Sequence, residues 1–259
     1  MPTIATDDGT TIAYRTFGEG PLHVLLVHGW MFSGAVYDDI LDSFDTAGLR
    51  LIVLDLRGTG DSGKPETGYT LERHAKDVLA VADAVGAQSF VLIGHSMGGA
   101  IAQWIAADQP DRVRALMLMN AVPASGMPLP DDARALFRGS PGSREMQGVI
   151  LNLSCKQLSD ASRERLLDDA AKVSAAAIQE GFDAWSTGGF ADRLGAIRAP
   201  TLVVTTDDAF MPPDFMRQTI VSHIKGARLA VLPGPGHYPQ VERPRETAAL
   251  LQAFLAGIG

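Results

Sequence analysis

The chain has 259 residues, 46% hydrophobic and 20% charged, which are the proportions of a chain with ample material for a folded core and not of a disordered one. Its net charge of −8, with 22 Lys and Arg that form no runs, excludes a nucleic-acid partner, whose phosphates demand clustered cations. A single cysteine, Cys155, excludes an intrachain disulfide and any zinc site built on two cysteines, and fits a reducing compartment.

The N-terminal stretch M-P-T-I-A-T-D-D-G carries acids where a secretory leader would have a basic start and an apolar middle. No apolar run reaches the ~20 residues of a membrane-spanning helix, so the expectation is a soluble, cytoplasmic protein without membrane association. Residues 2–6 and 11–17, divided by Asp8-Gly9, predict an antiparallel hairpin. Short β-rich runs follow at 22–27, 50–56, 89–93, 113–119, 201–205 and 228–232. Helical periods lie at 71–85, 100–108 and 243–258, with Thr70 and Glu72 marking the first helix start. Alternation of this kind predicts an α/β fold with a mostly parallel sheet covered by helices on both faces.

The alternation breaks after Asn120 and resumes at Pro200. A Pro- and Gly-rich connector, A-V-P-A-S-G-M-P-L-P, leads into helical segments near 131–138, 144–156, 159–172 and 174–185. This is too much material for a loop. The expected organisation is a core domain from 1–122 and 191–259, with a helical cap or lid inserted at 123–190 over the carboxyl ends of the strands.

Three segments carry chemistry. G-H-S-M-G-G at 94–99 leaves a predicted strand and enters a predicted helix, the context required of a G-x-S-x-G nucleophile turn. Such a turn lifts the Ser96 hydroxyl out of the sheet and aims the Met97 amide, at a helix N-terminus, toward an oxyanion beside it. The alternative is a plain serine helix cap. A serine nucleophile needs a base oriented by an acid. His237 stands in a Gly- and Pro-rich loop after the last predicted strand, and Asp207 and Asp208 follow the strand before it.

These motifs, with V-H-G-W at 27–30, D-L-R-G-T-G-D-S at 55–62, A-P-T-L-V-V at 199–204 and G-H-Y-P-Q-V-E-R-P at 236–244, give the chain its resemblance to the α/β-hydrolase fold superfamily. The resemblance runs from near the N-terminus to the last helix and weakens in the insertion. It implies a Ser-Asp-His order of catalytic residues and an oxyanion hole in which the Trp30 amide joins that of Met97. The family pattern G-x-x-D-x-x-x-P, counted back from Pro212, selects Asp208 over Asp207, although Thr205 stands where the glycine belongs. Asn120 occupies a strand end where some relatives place their acid, and as an amide it cannot fill that role.

The remaining histidines take structural readings. His28 is expected to organise the oxyanion loop, His95 is a neighbour of the nucleophile, and His23, His74 and His223 are surface or helix residues. No pair has metal-ligand spacing, so neither a metal nor a cofactor is expected. The predicted activity is a carboxylic ester hydrolase, an esterase or lactonase acting through an acyl-enzyme on small to medium apolar substrates. Met31, Met127, Phe137, Trp185, Phe210 and Met211 are candidates for the substrate pocket, with Leu136 and Met146 beside them in the insertion. Three alternatives stay open: a perhydrolase or cofactor-free haloperoxidase, a carbon–carbon bond hydrolase, and a non-catalytic ligand-binding receptor. The expected partner is a small ester or lactone, with the chain a monomer or a homodimer.

Overall fold

The computed structural model describes residues 1–42 and 44–258; Gly259, the last residue of the expected core domain, lies outside them. The chain opens on a hairpin of β1 (Thr3–Ala5) and β2 (Thr11–Phe17). Asp8 shapes its turn, accepting from the Thr6 hydroxyl at 2.7 Å and the Thr10 amide at 3.0 Å. β3 (Leu22–Val27), α1 (Asp38–Leu41), β4 (Leu49–Leu54), α2 (Leu71–Ala84), β5 (Phe90–His95), α3 (Met97–Asp108) and β6 (Val113–Met119) follow. Four helices then intervene: α4 (Asp131–Arg138), α5 (Arg144–Ser154), α6 (Asp160–Ala170) and α7 (Ala175–Thr187). The chain closes with β7 (Thr201–Thr206), α8 (Pro213–Thr219), β8 (Arg228–Leu232), α9 (Pro239–Glu242) and α10 (Pro244–Ala256).

All eight strands form one sheet in the order β1-β2-β4-β3-β5-β6-β7-β8. The hairpin pairs antiparallel, both within itself and with β4, and every other pairing is parallel. β5, at the centre, is buried along its whole length, as a strand covered on both faces must be. α2 buries Ala75, Val78, Val81 and Ala82 on the sheet side. Its buried Asp77 takes a bidentate contact from the equally buried Arg57, at 2.6 and 2.9 Å, so neither charge is left unpaired.

Two boundaries differ from the sequence expectation. β4 ends at Leu54 instead of Leu56; the Asp55 amide still donates to Ala13 O of β2 at 2.9 Å, and its carboxylate accepts the Gly34 and Asp61 amides, each at 2.9 Å. α3 begins at Met97, three residues before the expected start, and takes Gly98 and Gly99 into its first turn. Glycine is a poor helix former, but a Cβ on Gly98 would overlap the Val27 carbonyl at the end of β3 and one on Gly99 would overlap Ala121, so no side chain fits at either position. In the insertion, Ser143, Ser159 and Ser174 each cap a helix, accepting the amides of Met146, Ser162 and Ala177. Among the described residues no helix is long and apolar enough to cross a membrane.

Candidate active site

The register aligns Val27 with Gly94, Gly94 with Leu118, and Met119 with Val204, so β3, β5, β6 and β7 end together at one rim of the sheet. Ser96 stands on that rim. Its backbone is left-handed, at φ 54° and ψ −121°, a conformation that costs of order 1–3 kcal/mol for a residue with a side chain. Hydrogen bonds around it hold the strain: the Ser96 amide donates to Met119 O at 3.1 Å, and its carbonyl accepts from Gly99 at 2.8 Å and Val122 at 3.0 Å. A Cβ on Gly94 would overlap the Gly98 carbonyl, and one on Gly98 would overlap the carbonyls of Val27 and His28. Ser96 occupies the N-cap position of α3, yet its hydroxyl makes no cap bond.

Past β7 the two candidate acids diverge. Asp207 is exposed and accepts the Gly234 amide at 2.9 Å. Asp208 is 2% exposed; its Oδ1 accepts the Phe210 amide at 2.9 Å and its Oδ2 lies 2.6 Å from His237 Nδ1. A carboxylate oxygen only accepts, so Nδ1 carries the ring proton and Nε2 of the neutral imidazole keeps its lone pair. Thr205, in place of the family glycine, is fully buried and donates its hydroxyl to the Met211 carbonyl, which ties the acid turn together from below. Ser96 and His237 share one cavity wall. Among the described residues no hydrogen bond joins them, the loose spacing common in catalytic pairs before substrate binds.

The His237 backbone is fixed from three directions. Its carbonyl accepts from His95 Nε2 at 2.7 Å and from Asn120 Nδ2 at 3.1 Å, and its amide donates to Ser154 O, at the end of α5, at 2.8 Å. His95 is thus more than a neighbour of the nucleophile: it fastens the imidazole loop to the serine turn, and burial holds its own ring well below the ordinary 6.5 and therefore neutral. Asn120, also left-handed at φ 38°, spends its amide on Thr206 and on the Gly236 and His237 carbonyls. His74 is not a surface residue; it is 2% exposed on α2, and burial pushes its imidazole down to about 3.

On the opposite side, the loop after β3 runs through His28, Gly29 and Trp30. The His28 ring accepts the Leu56 amide at Nε2, 2.9 Å away, and donates from Nδ1 to Gly29 O at 2.8 Å. Both nitrogens are engaged, and burial lowers its pKa; the ring shapes the loop and carries no proton away. Among the described residues neither the Trp30 nor the Met97 amide donates to a protein acceptor.

The cavity takes in about 480 Å³ of non-atom space, counted out to its mouth with open solvent included. Trp30, Ser96, Phe210, Met211 and His237 form its floor from the sheet side, and Met127, Phe137 and Trp185 close it from the insertion. The aromatic rings form a cluster. Trp30 stacks on Phe137 at 5.5 Å between centroids, Phe137 meets Phe210 edge-on at 6.4 Å, and Phe182 packs behind them against Trp185 at 5.0 Å. The Trp30 indole also donates to Ile178 O of α7 at 2.8 Å.

Three of the pocket candidates sit differently. Met31 is off the cavity wall: its left-handed backbone, φ 75°, turns the side chain into the core, where it is 1% exposed. Met97, expected to act through its amide, adds no side chain to the wall; its sulfur faces Gly181 of α7. Leu136 and Met146 are likewise absent from the wall. Ile150, Ser154 and Tyr238 line it without having been anticipated; of these only Tyr238, beside His237 in G-H-Y-P, stood in a motif. Among the described residues no cluster of His, Cys, Asp and Glu could hold a metal ion.

Residues 23–147 match the family model described as alpha/beta hydrolase fold. The chain is 31% identical over 268 residues to a non-heme haloperoxidase of Rhodococcus erythropolis, covering 92% of this chain and 93% of that one. It is 30% identical to a pimeloyl-[acyl-carrier protein] methyl ester esterase of Neisseria meningitidis serogroup C, covering 91% and 94%. Among solved structures it resembles Est816, described as an N-acyl homoserine lactone degrading enzyme, with a TM-score of 0.81, 31% identity, and 98% and 100% of the two chains covered.

Proposed function

We propose that the chain, which belongs to the α/β-hydrolase fold family, hydrolyses carboxylic esters or lactones of modest, apolar character through Ser96, His237 and Asp208. The observation that carries this reading is the buried 2.6 Å contact between His237 and Asp208, facing the same cavity as an uncapped serine on a strained turn. His237 Nε2 takes the Ser96 proton as Oγ attacks the carbonyl, and Asp208 stabilises the imidazolium that forms. The amides of Trp30 and Met97 receive the oxyanion, each worth ~3 kcal/mol of transition-state stabilisation. The imidazolium then protonates the leaving alcohol, and water, activated by the same imidazole, releases the acid.

Residues 123–190 act in this reading as a cap, with 1–122 and 191–259 as the core. The aromatic lining supports an apolar acyl or aryl group, with little to hold a charged one. The names of the relatives support the same range: a methyl ester in one case and a lactone in another. A second reading rests on the haloperoxidase relative: if hydrogen peroxide replaces water at the acyl-enzyme, the product is a peracid, with the same residues in the same roles.

Turnover of nitrophenyl esters of short and medium acyl chains tests the proposal. Activity lost in Ser96→Ala and His237→Ala, with fluorophosphonate labelling of wild type at Ser96, supports it. A protein that neither turns over esters or lactones nor is labelled at Ser96 would be a binding module instead.

A further inference from the structure

We propose that Glu242 is a positioning residue for His237, and that it aligns the imidazole by fastening its loop to the connection between α5 and α6. The proposal rests on the reading of His237 as the general base.

Glu242 ends α9 and is 8% exposed. Its Oε2 accepts the amides of Lys156 and Gln157, both at 2.8 Å, and of Gly236 at 2.9 Å; its Oε1 accepts the Tyr238 amide at 3.1 Å. One buried carboxylate thus gathers four backbone donors, and among the described residues no cation pairs with it. Hydrogen bonds from several amides are what sustain a charge in such a place. Two of the donors flank His237 directly, and the other two come from the insertion, more than eighty positions earlier in the chain.

A carboxylate that served only its own short helix would need the Tyr238 amide alone. The contacts to 156 and 157 have a different consequence, because the neighbouring residue Ser154 accepts the His237 amide itself at 2.8 Å. A Cβ on Gly236 would overlap that same Ser154 carbonyl, so the two segments lie in backbone contact. Glu242 holds residues 236 and 238 to the stretch that grips residue 237. The ring's orientation toward Asp208 on one side and Ser96 on the other is therefore set jointly by the sheet, through His95 and Asn120, and by the insertion, through Glu242.

Glu242→Gln tests this, since the amide offers one acceptor oxygen and turns N–H groups toward N–H donors. The expected result is a kcat lower by roughly tenfold to a hundredfold with KM changed by no more than about twofold, the pattern of a displaced catalytic group. The low-field proton resonance of His237 Nδ1–H, bonded to Asp208, should shift or vanish. Glu242→Asp keeps the charge but is one methylene too short to span both segments, and should move kcat and the resonance in the same direction. Val78→Ala, in the buried face of α2, supplies a control that lowers stability away from the site. A Glu242→Gln protein that loses thermal stability in step with Val78→Ala yet keeps wild-type kcat and an unshifted resonance would overturn the proposal. If Glu242→Gln does not fold, the same readings on Glu242→Asp decide. If wild type itself shows no ester turnover, it is the hydrolase reading that fails, and the resonance still reports whether Glu242 holds the ring.

Discussion

Asp208→Asn has an outcome that the hydrogen-bond directions dictate. Asp208 presents one oxygen to the Phe210 amide at 2.9 Å and the other to His237 Nδ1 at 2.6 Å. Asparagine has only one acceptor, and a backbone N–H can do nothing but donate. The asparagine oxygen therefore stays on Phe210, and the NH2 group turns to the imidazole. Nδ1 must then accept, which moves the ring proton to Nε2, the atom that should receive the proton of Ser96. The base is blocked, and the charge that stabilised the imidazolium is gone as well. Loss of the correct tautomer in a triad of this kind removes on the order of 10⁴ in kcat, or ~5 kcal/mol of barrier. KM should hold, because Asp208 is not on the cavity wall. Asp207→Asn disturbs only an exposed bond to Gly234 and should retain full activity. Steady-state hydrolysis of a nitrophenyl ester by both variants, with the rate of fluorophosphonate labelling at Ser96, reads the difference. Full kcat in Asp208→Asn, or its loss in Asp207→Asn, would refute the argument.

Asn120→Asp does not create a second acid: it sets carboxylate oxygens against the Gly236 and His237 carbonyls that the Asn120 amide now serves. It should cost about 2–3 kcal/mol, the penalty for buried acceptors left without donors, seen as a lower denaturation midpoint together with reduced kcat; an unchanged midpoint would count against it. Trp30→Phe keeps a ring against Phe137 but removes the indole bond to Ile178; stability should fall by ~1 kcal/mol, with the oxyanion contact, a backbone amide, intact and kcat nearly unchanged. A large fall in kcat would mean the indole itself takes part. Stability should also drain away in mild acid. His28, His74 and His95 are buried with lowered pKa values, about 3 for His74, whereas in the unfolded chain each titrates near 6.5. The unfolded state therefore binds more protons below pH 6.5, and the stability present above that pH is lost as pH falls, with His74 alone contributing roughly 1 kcal/mol between pH 7 and 5.5. Urea denaturation at the two pH values measures the sum, and His74→Leu, which removes a ring whose nitrogens have no partners, should lessen the slope by one proton. Equal stability at both values would contradict the burial argument.

The parts of the site that were readable in the sequence are those whose physical signal is local. Ser96 sits in a turn whose glycines have a steric purpose, and Asp208 and His237 follow strand ends in short motifs. Three of the four helices of the insertion start where serines can cap them. What the sequence hid is held together over long separations. The first turn of α3 contains two glycines that propensity would place outside a helix, and only the close approach of the Val27 and His28 carbonyls to Gly98 and of Ala121 to Gly99 explains them. Met31 neighbours a loop that faces the cavity, and a positive φ sends it inward. His95, Asn120 and Glu242 act on the His237 loop or across it through bonds spanning 142, 117 and 86 positions, so each reads locally as a motif letter or a strand end.

Those long bonds also bear on how the insertion should be regarded. A lid that merely covered a finished active site would touch the core at its rim and leave the catalytic loops to the sheet. Here α6 accepts the Ser33 amide and hydroxyl at Asp169, each at 2.8 Å, just past the loop of His28, Gly29 and Trp30. α7 receives the Trp30 indole, and the end of α5 receives the His237 amide. α4 and α7 provide Phe137 and Trp185 as the far wall of the cavity. In the proposed mechanism, one segment therefore shapes the space for the substrate while bracing both the donor loop and the base. Changes within the insertion that alter which ester fits should consequently alter kcat along with KM, because the chain has no way to move that wall without moving the supports of the chemistry.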